Sequence, residues 1–301
     1  MQTINIFGQD LLVRDEACTC SPDKVIKGLP SLRLYIKPTD SCNASCLFCA
    51  NEQSKDFGTI NLNKLEYVIS YLKEHHILHG ISITGGEPMM NPDIIFKILD
   101  MAYRIDPNME IQVSTNGYNL LRFLDYQDVN KLESIHISRH HYDDEKNKEI
   151  FHSSTIASTE DIARLQEELD DKRIININTI VMKDYISNLR EIRRMLDYAS
   201  RIGVYKVGFV SLMKCNQFAK DHFINFNDIF SHLDKDFIVG HHFYNAEYCE
   251  CIDGLYLSEY KRLIEFYARM VKESTCPCTN QLVYTSDNRV TAGFGKKLLY
   301  K

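Results

Sequence analysis

From Leu32 to Val210 the chain alternates between short apolar runs and stretches of helical periodicity, and this alternation constrains the fold more than any other feature. The strand-like runs are Leu32–Lys37, Ile81–Thr84, Ile111–Ser114, Ser134–Ser138, Ile174–Met182 and Tyr205–Val210. Between them Leu62, Leu65, Val68, Ile69 and Leu72 recur at helical spacing. Asn91-Pro92 reads as an N-cap and first helical residue ahead of a stripe at Ile94, Ile95, Ile98, Leu99 and Ala102. Further helices are expected over Thr159–Asp171, with Ile162, Leu165 and Leu169 inward, and around Leu189, Ile192, Leu196 and Ala199. Six β-α units predict an α/β fold with a parallel sheet, because right-handed crossovers curl such units one way. In parallel α/β folds reactive groups gather at the C-terminal ends of the strands.

The flanks differ. Residues 1–30 read as an N-terminal extension, with apolar runs at Thr3–Phe7 and Leu11–Arg14 forming a hairpin around Gly8-Gln9-Asp10. Cys18 and Cys20 follow in a loop, either capping a second metal site or buried as small residues. The α/β domain is expected over 31–213 and a small cysteine-rich domain over 214–301. Within the latter, Asn216–Gly240 is aromatic and irregular. A helix is expected over Ser258–Lys272, with Leu263, Ile264, Tyr267 and Val271 on one face. Then comes a hairpin, Leu282–Thr285 with Arg289–Ala292, around Ser286-Asp287-Asn288.

A net charge of −6 argues against a broad nucleic-acid surface, which needs a basic patch. The start Met1-Gln2-Thr3-Ile4-Asn5 has neither a basic nor an apolar signal region, and no apolar run reaches membrane-spanning length. Ten cysteines without an export signal point to metal or catalysis in a reducing cytoplasm rather than to disulfides.

Two motifs fall where strands end. Cys42, Cys46 and Cys49, spaced C-x3-C-x2-C, follow the first strand. Three close thiolates can hold three corners of a [4Fe–4S] cluster and leave one iron open, as a catalytic metal site requires. A zinc site would want a fourth ligand at matching spacing, and no C-x2-C partner pair follows. Gly85-Gly86-Glu87-Pro88 ends the second strand. Its glycines allow close backbone approach to a ligand, Glu87 offers a carboxylate to an ammonium group, and Pro88 stiffens the exit. Thr115-Asn116-Gly117 and Ser138–His141 end the next two strands.

This order of motifs resembles the radical SAM superfamily, and within it the subgroup of the molybdenum-cofactor GTP cyclase and the SPASM and twitch enzymes. The resemblance covers roughly Leu32 to Met213. It implies a partial (β/α)6 barrel whose open cluster iron chelates S-adenosylmethionine (SAM), cleaved after reduction to a 5′-deoxyadenosyl radical that abstracts hydrogen from a substrate. It assigns Cys42, Cys46 and Cys49 to the cluster and Gly85, Gly86, Glu87 and Pro88 to the methionyl amine. Phe48 falls near the adenine, Ser114 and Asn116 on the ribose and adenosine side, and Asn178 near the ribose. Ser138 stands in the loop where the subgroup has S-L-D. Here that loop reads Ser138-Arg139-His140-His141, a departure. Arg139 could grip a carboxylate or phosphate bidentately, and His140 and His141 could serve acid–base roles.

Cys249-Glu250-Cys251 and Cys276-Pro277-Cys278 could supply four thiolates to an auxiliary [4Fe–4S] cluster, as twitch-type enzymes do, with a structural zinc as the plain alternative. Cys215, expected at the barrel mouth, is either a rival ligand or a hydrogen donor of the kind epimerases use. The expected activity is therefore oxidation or epimerisation of a small polar metabolite, served by an electron donor such as flavodoxin or ferredoxin. A peptide presented by a separate recognition protein is the runner-up. A non-catalytic metal module would have no use for the GGEP segment. GTP cyclase activity is disfavoured by the C-terminal cysteine spacing and the Arg139-His140-His141 loop.

Overall fold

The computed structural model describes residues 2–13, 32–51, 59–75, 77–232, 237–239, 243–246, 249–257, 262–269, 281–293 and 297–301. In chain order the strands are β1 (Gln2–Ile6), β2 (Gln9–Val13), β3 (Leu32–Ile36), β4 (Leu78–Ile83), β5 (Glu110–Thr115), β6 (Ser134–Ser138), β7 (Ile175–Val181), β8 (Lys206–Ser211), β9 (Phe237–Val239), β10 (Phe243–Ala246), β11 (Cys249–Leu257), β12 (Arg262–Arg269), β13 (Gln281–Tyr284), β14 (Val290–Ala292) and β15 (Leu298–Tyr300). The helices are α1 (Leu62–Glu74), α2 (Pro92–Ile105), α3 (Asp144–Phe151), α4 (Thr159–Glu168), α5 (Leu189–Arg201), α6 (Gln217–Asp221) and α7 (Phe226–Phe230). The chain forms two compact units, 1–42 with 51–114 and 275–301, and 43–50 with 115–274.

In the first unit β13, β3, β4 and β5 run parallel, with Leu282 opposite Leu34, Leu34 opposite Ile81 and Ile81 opposite Ile111. β14 and β15 extend this sheet antiparallel. Leu32, Leu34 and Ile36 are fully buried while Arg33 and Tyr35 between them are not, the period of two that a pleated strand imposes. Leu65, Val68, Ile69 and Leu72 of α1 and Ile95, Ile98, Leu99 and Ala102 of α2 are buried as the helical spacing predicts. Asn91 caps α2, its side chain accepting from the Ile94 N–H, with Pro92 at the first helical position.

The N-terminal hairpin forms, but it turns at Phe7-Gly8, with φ of 51° and 76°, one or two residues ahead of the expected place. Two positive φ values fit the right-handed twist of a hairpin. A two-stranded hairpin is marginal alone. Here Phe7 stacks on Tyr71 of α1 and Tyr300 of β15, with ring centroids 4.3 and 4.7 Å away.

In the second unit β6, β7, β8 and β12 run parallel, with Ile135 opposite Ile175 and Ile177 and Ile264 both opposite Val207. β11 pairs antiparallel with β12, and β10 and β9 with β11. Ile192, Met195, Leu196 and Ala199 of α5 are buried.

β12 corrects the helix expected over Ser258–Lys272. Ile264, Glu265 and Phe266 are all buried, and the strand lies between β8 and β11. With successive residues buried, Glu265 among them, the strand shows no period of two, and Leu263, Ile264 and Tyr267 fall at a spacing that a helix would also give. Among the described residues no helix is long and apolar enough to cross a membrane.

Candidate functional site

Residues 37–50 carry no helix or strand, and the cysteines sit on this open stretch. Cys42, Cys46 and Cys49 are half-buried and Cys215 is exposed; none is in a disulfide. In the first unit, Gly86 N donates to Thr39 O at 3.0 Å and Glu87 N to Ser41 O at 2.8 Å. A Cβ on Gly86 would lie 2.0 Å from Ser41 O, and Gly85, at φ +136°, would place one 2.5 Å from Thr39 O. Both glycines therefore let one main chain touch another, the segment that runs directly into Cys42. The Asn51 side chain closes the turn, donating to Gly85 O at 3.1 Å.

Glu87 has a structural role within its own turn. It is 1% exposed, and its Oε1 accepts the Met89 N–H at 2.9 Å, capping a 3-10 turn over Pro88–Met90. One oxygen of the carboxylate expected to meet an ammonium group thus serves as a cap. Ser114 stands half-buried near the end of β5.

In the second unit the loop 43–50 is tied down from several sides. Ser45 N and the Cys46 thiol donate to Phe151 O at 3.0 and 3.8 Å, at the end of α3. Asn43 donates to Thr155 Oγ1 at 3.0 Å, and its Oδ1 accepts from Asn116 at 2.8 Å. Asn116 also accepts the Tyr118 N–H, so it binds the cysteine loop and makes its own turn at once. Asn216 donates to Leu47 O at 2.8 Å, and the Cys215 thiol to Phe48 O at 3.5 Å. Cys215 is thus seated against the cysteine loop. The Phe48 ring meets His140 edge-on at 5.2 Å.

The Ser138–His141 segment forms a buried polar knot rather than a substrate grip. Arg139, only 1% exposed, donates from Nε to His141 O at 2.9 Å and from Nη1 to Ala157 O at 3.3 Å. Its Nη2 reaches Tyr142 O, Thr159 Oγ1 and the Asp144 carboxylate. The guanidinium also lies over the Tyr198 ring at 4.6 Å. Its donors are taken up inside the fold, which overturns the expectation of a bidentate ligand grip. Burial works against the charge of Asp144, yet bonds from Arg139 and Thr159 hold its carboxyl below the usual range. Asn147 Oδ1 accepts both the His140 and His141 N–H groups, and Asp143 caps α3.

His140 stacks on Phe151 at 4.8 Å, and its Nδ1 accepts the Ile180 N–H. Burial above all, with the neighbouring Arg139 charge, drives its pKa down to about 3. A ring so hard to protonate is no acid–base group near neutral pH. His141 is likewise lowered by burial first, and its Nδ1 accepts the Asp143 N–H.

An acid-stability signature follows from His140. Unfolded, the ring takes a proton near 6.5; folded, only near 3. Between those values the unfolded state binds more protons, so its contribution is present above pH 6.5 and is lost as pH falls. Of the stability lost between pH 7 and 4.5, about 2 kcal/mol is expected from this ring. Urea denaturation of His140→Phe should show a correspondingly shallower decline; a slope equal to wild type refutes the assignment.

Ser138 is half-buried at the end of β6, and Asn178 of β7 bonds through its side chain to His136. Cys249 and Cys251 fall in β11. Cys18, Cys20, Cys276 and Cys278 lie outside the described residues. Among the described residues no three His, Cys, Asp or Glu side chains form a ready-made metal cage. The fit of the loop to a cluster rests on its donors: three thiols outside disulfides on an anchored, irregular loop. The polar residues that sequence reading missed are Asn43, Asn147 and Asp144. The last two belong to α3, whose one signal was Asp143 ahead of an acidic first turn.

The radical SAM superfamily profile matches residues 36–199, more than half of the chain, and the protein belongs to that superfamily. Its cofactors are accordingly a [4Fe–4S] cluster and SAM. The chain is 26% identical over 193 residues to a probable GTP 3′,8-cyclase of Pyrobaculum aerophilum, covering 64% of this chain and 60% of that protein. It is 24% identical over 217 residues to the GTP 3′,8-cyclase of Clostridium perfringens, covering 71% and 65%. It thus spans less than two thirds of the length of these curated relatives. The crystal structure of Streptococcus suis SuiB bound to S-adenosylmethionine superposes with a TM-score of 0.60 at 14% identity, over 91% of this chain and 63% of that one. The shared fold is an α/β radical SAM fold with a mostly parallel sheet.

Proposed function

We propose that this radical SAM enzyme abstracts hydrogen from a small polar metabolite and oxidises or epimerises it. The observation that carries this reading is the asymmetry of the sheet in the second unit. One face of β6 and β7 bears Ile135, Ile137, Ile175 and Ile177, all fully buried, and the other bears Ser134, His136, Ser138, Asn176 and Asn178. A face of amides, hydroxyls and an imidazole suits a ligand that hydrogen-bonds. The architecture is read as a partial (β/α)6 barrel over 31–213. Cys42, Cys46 and Cys49 would hold the cluster, which with SAM supplies the hydrogen-abstracting radical when reduced. With the Glu87 side chain engaged as a cap, Gly85–Pro88 would meet the methionyl amine through main-chain carbonyls. Phe48, Ser114, Asn116, Ser138 and Asn178 would face the nucleoside.

Cys249, Cys251, Cys276 and Cys278, in the stretch 214–301, are read as ligands of an auxiliary cluster. Cys215, exposed and against the cysteine loop, suits hydrogen donation if it is not itself a ligand. The electron donor is a flavodoxin or ferredoxin, in a cytoplasmic setting. A peptide substrate held by a separate recognition protein is the second reading. It draws on the fold shared with SuiB, also solved bound to the precursor peptide SuiA, with a TM-score of 0.51 at 18% identity, over 63% of this chain and 41% of that one.

Iron and sulfide per chain after anaerobic reconstitution test the metal assignments. Wild type should hold about eight irons, and the variant with Cys42, Cys46 and Cys49 all changed to alanine about four, with SAM cleavage abolished. Near zero in the variant would leave a single cluster and turn attention to epimerisation through Cys215. Full retention of SAM cleavage would overturn the cluster assignment.

A further inference from the structure

We infer that His136 is a positioning residue that fixes which end of the Asn178 carboxamide is offered to the SAM nucleoside. This deepens the proposed function and rests on its placement of Asn178 at SAM.

β6 and β7 pair in parallel with His136 opposite Asn176 and Ser138 opposite Asn178. Positions 134, 136 and 138 of one strand and 176 and 178 of the other therefore share a face. Asn178 Nδ2 lies 3.0 Å from His136 Nδ1, and Ser134 Oγ lies 2.8 Å from His136 Nε2. An amide nitrogen only donates, so with this placement Nδ1 accepts and the ring proton sits on Nε2, donated to Ser134 Oγ. In this tautomer the hydrogen-bond chain runs from Asn178 through His136 to Ser134.

The consequence falls on the other end of the amide. A lone asparagine can turn its carboxamide over, because O and N are nearly the same size, and it then offers a donor as readily as an acceptor. With Nδ2 held by the imidazole, Asn178 keeps Oδ1 on the opposite side as an acceptor. An acceptor reads hydroxyl donors, which the ribose of SAM carries. The strand does not depend on this chain for its place, because Asn178 O accepts the Arg139 N–H at 2.9 Å and Thr179 Oγ1 donates to Arg139 O at 2.7 Å. The role is thus one of ligand reading rather than of sheet assembly.

The test is equilibrium binding of SAM, and of its analogue lacking both ribose hydroxyls, to the reconstituted enzyme, with iron content and melting temperature as controls. Wild type should bind the analogue about tenfold more weakly, the loss of an ordinary hydrogen bond. His136→Leu should lose affinity for SAM and, more tellingly, most of the discrimination between the two ligands. His136→Gln, whose side-chain oxygen can still accept from Asn178, should restore both. Nitrogen NMR of wild type adds a measurement that needs no variant: the His136 proton should sit on Nε2. A proton on Nδ1, or full discrimination in His136→Leu, overturns the inference. Asn178→Ala separates the two levels. If it leaves SAM affinity unchanged, the placement of Asn178 fails and takes the inference with it. If it weakens SAM while His136→Leu does not, only the role of His136 falls.

Discussion

Gly86→Ala should cost the protein about 3 kcal/mol or more and sharply reduce the iron it takes up. The added methyl carbon would lie 2.0 Å from Ser41 O, 2.5 Å from Ser41 C and 2.7 Å from Asp40 O. All three are main-chain atoms, so no side chain can swing aside. Relief requires parting the two segments and losing the bonds from Gly86 N to Thr39 O and from Glu87 N to Ser41 O. The displaced segment leads straight into Cys42, which couples this packing defect to metal uptake. Gly203→Ala is the control. It shares the backbone problem, with φ of +76°, but its methyl would meet only the Gln166 side chain at 3.5 Å. Its cost should stay near 1 kcal/mol, with iron content unchanged. Urea denaturation and iron assay of both variants make the comparison, and equal behaviour of the two would refute the close-approach argument.

Arg139→Lys should destabilise the enzyme by about 3 kcal/mol although it keeps the charge. A lysine cannot fork, so it cannot serve His141 O, Ala157 O and Tyr142 O while pairing Asp144. Several acceptors of the knot would be left buried without their donor, and the stacking on Tyr198 would be lost. The contrast is Arg173→Lys, at a surface pair with Asp171 where the arginine side chain is 75% exposed and the expected change is below 1 kcal/mol. Denaturation midpoints decide the matter. Were Arg139 instead a substrate grip, its lysine variant would fold normally and lose substrate affinity.

The strands and helices that position the motifs were legible because their residues obey one period each. Leu32, Leu34 and Ile36 alternate, and Leu65, Val68, Ile69 and Leu72 recur at helical spacing. β12 was not legible, since Ile264, Glu265 and Phe266 are buried in succession and carry no period. The charged helix α3 hid for the opposite reason: apart from Asn147, only Ile150 and Phe151 of it are buried, too few to show a stripe. In the candidate site, residue type pointed to Arg139 as an anion grip, His140 as an acid–base group and Glu87 as a contact of the methionyl amine. Their hydrogen bonds give each of them a structural role, and no spacing in the sequence reveals that Asn147 or Met89 will be the partner. Cys215, expected at the barrel mouth from its position just past the sixth strand, has its thiol 3.5 Å from Phe48 O of the cysteine loop, a neighbour that no spacing in the sequence names.

The pairing of β13 with β3 also sets an order of events in folding. Leu282 lies opposite Leu34, 248 residues away along the chain. Until β13 has been made, β3 has nothing on that side, and its peptide groups are a bare edge open to mispairing. The parallel ladder of β6, β7 and β8 spans far less sequence and closes sooner. The first unit's sheet therefore closes later than that ladder, and the strand that carries the chain into its cysteine loop is flanked on both sides only once β13 has been made.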